Sequence, residues 1–570
     1  MVSLTSLRRP PTLNDAFCPA IGGLFVLSIS HSSKLGPYLV LAVLMISSVL
    51  IWLDNTVLSI ALETLADPVK GLNASPGELQ WATGAYTLVF ATLMFTAGAL
   101  GDSFGHRQML MIGLVVFCCA SVWAAYVGDP EQLIAARALM GMGAAFIMPA
   151  NFAILLWTFT GPERATAIAI SSTNAGIGMA VGPVMAGVLI SHFWWGSIFI
   201  VNIPIVVLAL IGTVLLVPNF RSPTKRSLDP AGMLLSISGL AALSYGLIRA
   251  GQVGSWTAID VWLPALLGVI VLGAFILVEM NIQSPSFDPR LLAQRAFGGA
   301  NAAMALLFFS VAAITFYNAF YMQGVLQFSP LKAGLSNLPT ALGAIIGAPL
   351  GAAMVRRWSL RPVAVPALVV AALTMAGYGF LDQTTPLAAI AALLLVQGLT
   401  VGMVMGPVTG VLLSTLPLEK SGAGSAITNT VRQAGSVIGI AVGGTILSIA
   451  YRSAIEPSLA GVPSDVAQRA EISAEQARHV AATYGMARLV HDADSAFVHA
   501  MHVGAVWIAG ATLVGAITLV FALRPAPQPA TSSERTDDRR LEATDGIDGR
   551  TVPDARGSAT VDSGVRRDNG

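Results

Sequence analysis

The chain has 570 residues, 55% of them hydrophobic and only 11% charged, with a mean hydropathy of +0.73. A soluble domain carries about 25% charged residues, so much of this surface must face something other than water. A net charge of +1 lacks the basic field of a nucleic-acid binder, and the three cysteines (Cys18, Cys118 and Cys119) form neither a disulfide framework nor a zinc spacing.

Residues 1–37 come first in chain order. Ala20 to Ile29 is apolar but too short to span a bilayer, and Arg8 and Arg9 precede it as in a signal peptide. No convincing cleavage site follows, so a cytoplasmic N-terminal extension is expected, interfacial in part or a start-site artefact. A crossing helix needs about 20 apolar residues. Fourteen such runs follow, near 38–62, 79–100, 108–127, 131–155, 165–190, 197–217, 231–250, 261–281, 297–322, 332–355, 362–381, 386–414, 423–450 and 497–523.

Positive charge orients them. With the N-terminus inside, short inner loops hold eleven basic residues: Arg107, Arg164, Arg221, Lys225, Arg226, Arg290, Arg295, Arg356, Arg357, Arg361 and Lys420. Outer loops or their edges hold three, Lys70, Arg249 and Lys332. Both termini are therefore expected in the cytoplasm. The outside loop 452–496 is the one long connection, with a helix-permissive amphipathic run from Ser464 to Val490. Residues 524–570 are rich in Pro, Ser, Asp and Arg and cannot bury a core, which predicts a disordered cytoplasmic tail.

Weak internal symmetry completes the layout. Gly98-Ala-Leu-Gly101-Asp102-Ser-Phe-Gly105-His106-Arg107 reads as a tight cytoplasmic turn, and Gly351 and Arg357 match Gly101 and Arg107 at a common offset. Glu163-Arg164 is echoed by Glu419-Lys420. These offsets fit two six-helix bundles, helices 1–6 (38–217) and 9–14 (297–523), with helices 7 and 8 inserted in a linker at 218–296. The fold class is all-α integral membrane, with 14 transmembrane helices. Paired repeats of this kind bind substrate between them near the midplane.

The turn pattern Gly-x-x-x-Asp-x-x-Gly-x-Arg resembles the loop between helices two and three of the major facilitator superfamily. Further stretches resemble its fourteen-helix drug:proton antiporter branch. They are Leu53-Asp54-Asn55-Thr56-Val57 with Ala61-Leu62 in helix one, and Ala136-Arg137-Ala138-Leu139-x-Gly141-x-Gly143 with Met148-Pro149 in helix four. Gly178-x-x-x-Gly182-Pro183-x-x-Ala186-Gly187 in helix five resembles the antiporter motif, with Ala186 for a glycine. Phe199-Ile-Val-Asn202-Ile-Pro204 and Asn429-Thr-Val-Arg432-Gln433-x-Gly435 also fit. Glu63 stands where the branch has a proline, so that helix end is expected to be straighter.

The resemblance implies proton-coupled efflux of drugs or lipophilic cationic compounds across the cytoplasmic membrane. The alternative is a dedicated exporter of one small molecule, such as a self-made antibiotic. Uptake by symport fits the helix-five motif less well. The sequence has no P-loop, metal-ligand cluster or nucleophile elbow, so no enzyme chemistry, catalytic residue, metal or cofactor is expected. The expected partners are a small-molecule substrate, protons and the lipid bilayer, and the protein is expected to be a monomer.

Asp54, Arg137 and Arg432 are the strongly ionisable side chains well inside these runs. Each costs about 2.5–3.5 kcal/mol at the bilayer centre on insertion scales, so each must face a cavity, pair, or both. Helix rise puts Asp54 about 13 Å and Arg137 about 9 Å from the outer surface, so the two are expected to interact. A change in exposure or pairing would then switch Asp54 between taking and releasing a proton. A fixed pair that merely holds two helices is the competing reading. Gly178, Gly182, Pro183 and Gly187 are either a rocking hinge or a tight packing face. Gly98, Gly101, Asp102, Gly105 and Arg107 are either a cytoplasmic gate or a topological anchor. Arg432 and Asn429 are possible site residues, with a structural role equally open. So are Phe316 and Tyr317, from an aromatic cluster with Phe308, Phe309, Phe320 and Tyr321, for which plain packing competes with stacking on a flat substrate. His192, His499 and His502 are expected at the interface.

Overall fold

A computed structural model describes residues 35–219, 229–282, 288–414 and 421–523. The expectations for most of the N-terminal extension (with Cys18), for Arg221, Lys225, Arg226, Glu419 and Lys420, and for the tail at 524–570 lie outside the described residues. The described chain is helical, in the order α1 (Leu35–Ala66), α2 (Pro76–Phe104), α3 (His106–Ala125), α4 (Pro130–Thr158), α5 (Gly161–His192), α6 (Ser197–Ile200) and α7 (Asn202–Leu216). Then come α8 (Pro230–Val253), α9 (Ile259–Asn281), α10 (Pro289–Ala293), α11 (Arg295–Phe320), α12 (Pro330–Ser336), α13 (Leu338–Trp358) and α14 (Arg361–Gly377). The last are α15 (Leu387–Ser414), α16 (Ser421–Ile455), α17 (Ser464–Ala470), α18 (Ala474–Tyr484) and α19 (Ala487–Ala522).

Local chemistry sets many of the boundaries. α2, α4, α8 and α12 each start with proline after a capping Ser or Asp: Ser75, Asp129, Asp229 and Ser329. Proline is pre-set for the first turn and its missing N–H goes unused there, while the cap oxygen satisfies a free backbone N–H. α8 and α18 stop at Gly254 and Gly485, both in the left-handed region.

Each of the fourteen apolar runs falls on helix, with 197–217 divided between α6 and α7 and 332–355 between α12 and α13. Among the described residues, twelve helices are long and apolar enough to cross a membrane, or thirteen if the two arms of α2, bent by 49° between Met94 and Thr96, form one span. α5 contributes a shorter apolar stretch, Gly176–His192.

α1 packs on α5 and α7, and α4 on α2 and α3. Later in the chain α13 packs on α15, α11 on α16 and α19, and α14 on α15 and α19. The α13–α15 contact is close enough to need glycine. A Cβ at Gly347 would strike the Leu399 carbonyl, and one at Gly398 the Thr340 carbonyl. α8 and α9 pair with each other, and α8 leans on both α2 and α16. α9 leaves a broad apolar surface exposed, with Leu263, Leu266, Leu267, Val269, Ile270 and Leu277 each more than two-fifths accessible. The early and late groups meet where α2 touches α16, α5 touches α12 and α13, and α1 touches α11.

Two expectations are corrected. Gly98–Arg107 is not a turn: α2 runs on to Phe104, Gly105 N–H still bonds to the Gly101 carbonyl at 2.9 Å, and α3 begins at His106. One residue, Gly105 (φ +110°), makes the link. The loop expected at 452–496 is shorter, because α16 continues to Ile455 and α19 starts at Ala487. Its amphipathic run, Ser464 to Val490, falls on α17, α18 and the first turn of α19. The face holding Gly105 is called the link face below, and the opposite face, with α17 and α18, the lid face.

Candidate functional site

Asp54 on α1 and Arg137 on α4 meet in the interior. Arg137 Nη1 lies 2.5 Å from Asp54 Oδ2, with the side chains 1% and 3% exposed. The guanidinium keeps three more partners, one of them Met140 Sδ at 3.9 Å from Nη1. Its Nε donates to the Ala82 carbonyl of α2 at 3.2 Å, and its centre lies 4.4 Å from the Tyr86 ring centroid. The other carboxylate oxygen, Oδ1, faces Asn202 Nδ2 of α7 at 3.4 Å, and that amide also reaches Ser121 Oγ of α3 at 3.3 Å. Five helices thus converge on one ion pair. A lone buried charge is expensive; here each charge has its counter-charge and at least one further polar neighbour. Asn202 stood in the sequence only as part of a motif, and its place beside Asp54 had no signal there.

α5 clamps the turn of α1 that carries Asp54. A Cβ at Gly178 would lie against Trp52 Cβ and 3.2 Å from Leu53 N, and one at Gly182 would strike Thr56 Oγ1. Thr56 Oγ1 donates to the Gly178 carbonyl at 3.0 Å. Further along α5 the contact passes to the late helices. A Cβ at Gly187 would sit 2.5 Å from Leu331 Cα, and one at Gly334 would strike the Pro183 carbonyl. One glycine-rich helix therefore touches the ion-paired turn with one edge and the other half of the molecule with the next.

At the link face, Asp102 Oδ1 lies 3.3 Å from His106 Nε2. Gly101 leaves room for that imidazole, since a Cβ there would be 2.5 Å from its Nδ1. Arg107 Nη2 donates to the Val214 carbonyl at the end of α7, at 2.7 Å. Gly98 has only an ordinary contact, 3.9 Å to Pro149.

Arg432, 8% exposed, donates to Asn429 Oδ1 at 2.5 Å and stacks 4.9 Å from the Phe308 ring centroid. Tyr317 is fully buried and its hydroxyl donates to the Gly443 carbonyl at 2.7 Å, so it packs α11 against α16. Phe316 instead lines a cavity near the lid face, edge-on to Phe320 at 5.2 Å. His502 Nε2 lies 2.7 Å from the Leu381 carbonyl, and His192 Nδ1 lies 3.0 Å from the Val188 carbonyl.

The lid face holds a group that the sequence reading missed. Arg478 of α18 bonds to Glu63 of α1 at 3.0 Å, to Glu475 at 3.1 Å and to Asp494 of α19 at 2.7 Å. Burial alone would lower the Arg478 pKa, but Glu63, Glu475 and Asp494 outweigh it and raise the pKa above its ordinary value. Nearby, Gln323 donates to the Ile60 carbonyl at 2.7 Å and Gln476 to Asn73 at 2.5 Å. These ties join early and late helices at one face.

Comparison with known proteins follows the same lines. Residues 44–440 match the family model described as Major Facilitator Superfamily. The puromycin resistance protein pur8 of Streptomyces alboniger is 34% identical, over 71% of this chain and 81% of its own length. The multidrug efflux pump LfrA of Mycolicibacterium smegmatis is 32% identical, over 76% of this chain and 85% of its own. The cephamycin export protein CmcT of Amycolatopsis lactamdurans is 34% identical, over 69% and 81%. Among solved structures, an inward-facing, occupied bacterial homologue of the human lysosomal transporter Spinster superposes with a TM-score of 0.61 at 15% identity, over 87% of this chain and all of that one. At that identity the likeness is one of fold.

Proposed function

The chain belongs to the Major Facilitator Superfamily, and we propose that within it this protein is a proton-coupled exporter of drugs or lipophilic cations, working by alternating access in the cell membrane. The buried Asp54–Arg137 pair carries the proposal. In this reading α5 completes fourteen crossings, the lid face is outside, and both termini and the link face are cytoplasmic. The described basic residues Arg107, Arg164, Arg290, Arg295, Arg356, Arg357 and Arg361 support that orientation. The protein acts as a monomer and carries out transport without covalent chemistry.

Asp54 takes a proton from outside when the lid face opens, and loses its hold on Arg137. Release of that proton inside restores the pair. The α5 clamp couples the turn around Asp54 to α12, so a change in pairing is felt by both halves. Gly101, Asp102, Gly105 and Arg107 close the inner side by docking α2 and α3 onto α7. One charge falling through 100 mV yields about 2.3 kcal/mol, and one pH unit adds about 1.4. Together these support a gradient of several hundred-fold for a neutral substrate exchanged one to one.

Efflux of ethidium from energised cells, with and without a protonophore, tests the coupling. Export is expected to stop when the proton gradient collapses, and export that persists refutes it. A dedicated exporter of one antibiotic is the second reading. It is favoured by relatives named for puromycin resistance and cephamycin export. A lack of any ethidium phenotype, with protection against a single antibiotic, would select it.

A further inference from the structure

The two oxygens of Asp54 keep different company. Oδ2 lies 2.5 Å from Arg137 Nη1, so it is the oxygen that the guanidinium holds. Oδ1 faces Asn202 Nδ2 at 3.4 Å and is the oxygen left to take a proton. Arg137 of α4 and Tyr86 of α2 are ionisable groups that face this carboxylate. What α3, α5 and α7 bring to it and its turn of α1 is neutral: Ser121, Gly178, Gly182 and Asn202.

A buried carboxylate that changes protonation asks opposite things of its neighbour. Ionised, it needs a donor. Once Oδ1 carries a proton, its O–H needs an acceptor, and a buried donor is costly to leave without one. A side-chain amide offers both, on two atoms of nearly the same size. Asn202 is fully buried, and its own Oδ1 has no hydrogen-bond partner among the described residues. No bond on that side therefore ties the amide to one orientation. Asn151 of α4 shows the contrast. Its Oδ1 accepts from Ser47 Oγ at 3.1 Å, and its Nδ2 donates to Ser48 Oγ at 2.9 Å and to the Leu44 carbonyl at 3.4 Å. A carbonyl can only accept, so that amide is held one way round. A half-turn of Asn202 would instead place its Oδ1 where Nδ2 now stands, against Asp54 Oδ1 and Ser121 Oγ. The Ser121 hydroxyl accepts from Nδ2 at 3.3 Å and suits either orientation, because it can rotate to donate.

We infer that Asn202 is a two-way positioning residue for the proton: it donates through Nδ2 while Asp54 is ionised, and turns about Cβ–Cγ to accept through Oδ1 once Asp54 is protonated. The inference rests on the reading of Asp54 as the proton carrier. A proton from water adds to Asp54 Oδ1, the carboxylate becomes a neutral acid beside the Arg137 guanidinium, and no bond within Asn202 forms or breaks. The reverse turn accompanies release of the proton.

Infrared titration of the purified full-length protein in detergent tests it, read at the carboxylic C=O band that Asp54→Asn abolishes. Asn202→Leu keeps the size of the side chain and can neither donate nor accept. It withdraws an O–H···O bond from the acid and only a long contact from the carboxylate. The pH at which the band is half formed should therefore fall by about one unit, a tenfold loss that matches one ordinary hydrogen bond. Asn202→Met, which adapts to the same slot, should give the same shift and serves if the leucine variant does not fold. Asn202→Gln, which keeps the amide, should hold the parental midpoint. Ser121→Ala, which removes a hydroxyl that serves both states equally, should also leave it in place. An unchanged midpoint in Asn202→Leu and Asn202→Met, even with lower stability, overturns the two-way amide and leaves Asp54 as the proton carrier. A parental protein with no Asp54 band at any pH it withstands overturns both.

Discussion

Replacing Asp54 with asparagine keeps the shape of the side chain and removes its charge. Arg137 then stays 1% exposed, with the Ala82 carbonyl at 3.2 Å, the Tyr86 ring at 4.4 Å and Met140 Sδ at 3.9 Å as its other neighbours. Removing one member of a buried ion pair costs about 3–5 kcal/mol. The amide oxygen can still accept from the guanidinium, and a hydrogen bond to a charged group recovers about 1.5–3 kcal/mol. The net loss for Asp54→Asn is therefore about 2 kcal/mol. Arg137→Gln is costlier, because it strands the carboxylate with Asn202 at 3.4 Å, and the full loss of about 3–5 kcal/mol is expected. The double variant has two neutral amides facing each other. It should be more stable than the two single losses predict, by a coupling of about 2–3 kcal/mol. Denaturant unfolding of the purified variants in detergent measures the cycle. Dye efflux against a gradient measures function: Asp54→Asn should lose uphill transport yet still exchange dye down its gradient. Additive single losses would refute the pairing argument, and uphill efflux at the parental rate with normal protein abundance would refute the coupling.

Three more outcomes follow from the packing. Gly182→Val sets new carbon on Thr56 Oγ1, so overpacking of about 1–3 kcal/mol is expected; slower efflux and a lower unfolding midpoint would register it. Gly105→Ala forces a side chain into φ +110° and against Asn219, a strain of about 1–3 kcal/mol; an unchanged midpoint would contradict the link geometry. Arg478→Gln should leave three carboxylates around a neutral amide and expose 456–486 to added protease. Because the Arg478 pKa is raised on folding, its contribution is fully present below the ordinary arginine pKa and is lost only as pH rises through the higher folded value. Intact protein should therefore resist that protease equally at pH 6 and pH 8 as far as Arg478 is concerned.

The helices were legible because a bilayer demands a long apolar run, and that demand is written residue by residue. The Asp54–Arg137 meeting was legible for a related reason: two costly charges at similar depth have strong cause to pair. Helix ends were less so. α16 and α19 extend past their apolar runs because Arg452 bonds to the Gln252 carbonyl of α8 and Asp494 to Arg478 of the lid, so hydropathy falls before the helix stops. Gly98–Arg107 looked like a turn because glycine and charge break most helices, yet the backbone hydrogen bonds continue to Gly105. The Arg478 cluster left no trace in the sequence. Glu63 and Arg478 are 415 positions apart, and no periodic pattern connects a loop to the end of a distant helix.

The single residue between α2 and α3 has a mechanical consequence. A longer loop would absorb a tilt of α2 by flexing, but Gly105 leaves no slack. A tilt of the lower arm of α2 must be passed to the start of α3, where Arg107 grips the end of α7. Asn202, beside Asp54, opens that same α7 helix. The bend in α2, the link and α7 thus form a closed lever train that begins at one membrane face and returns to the charge at its centre.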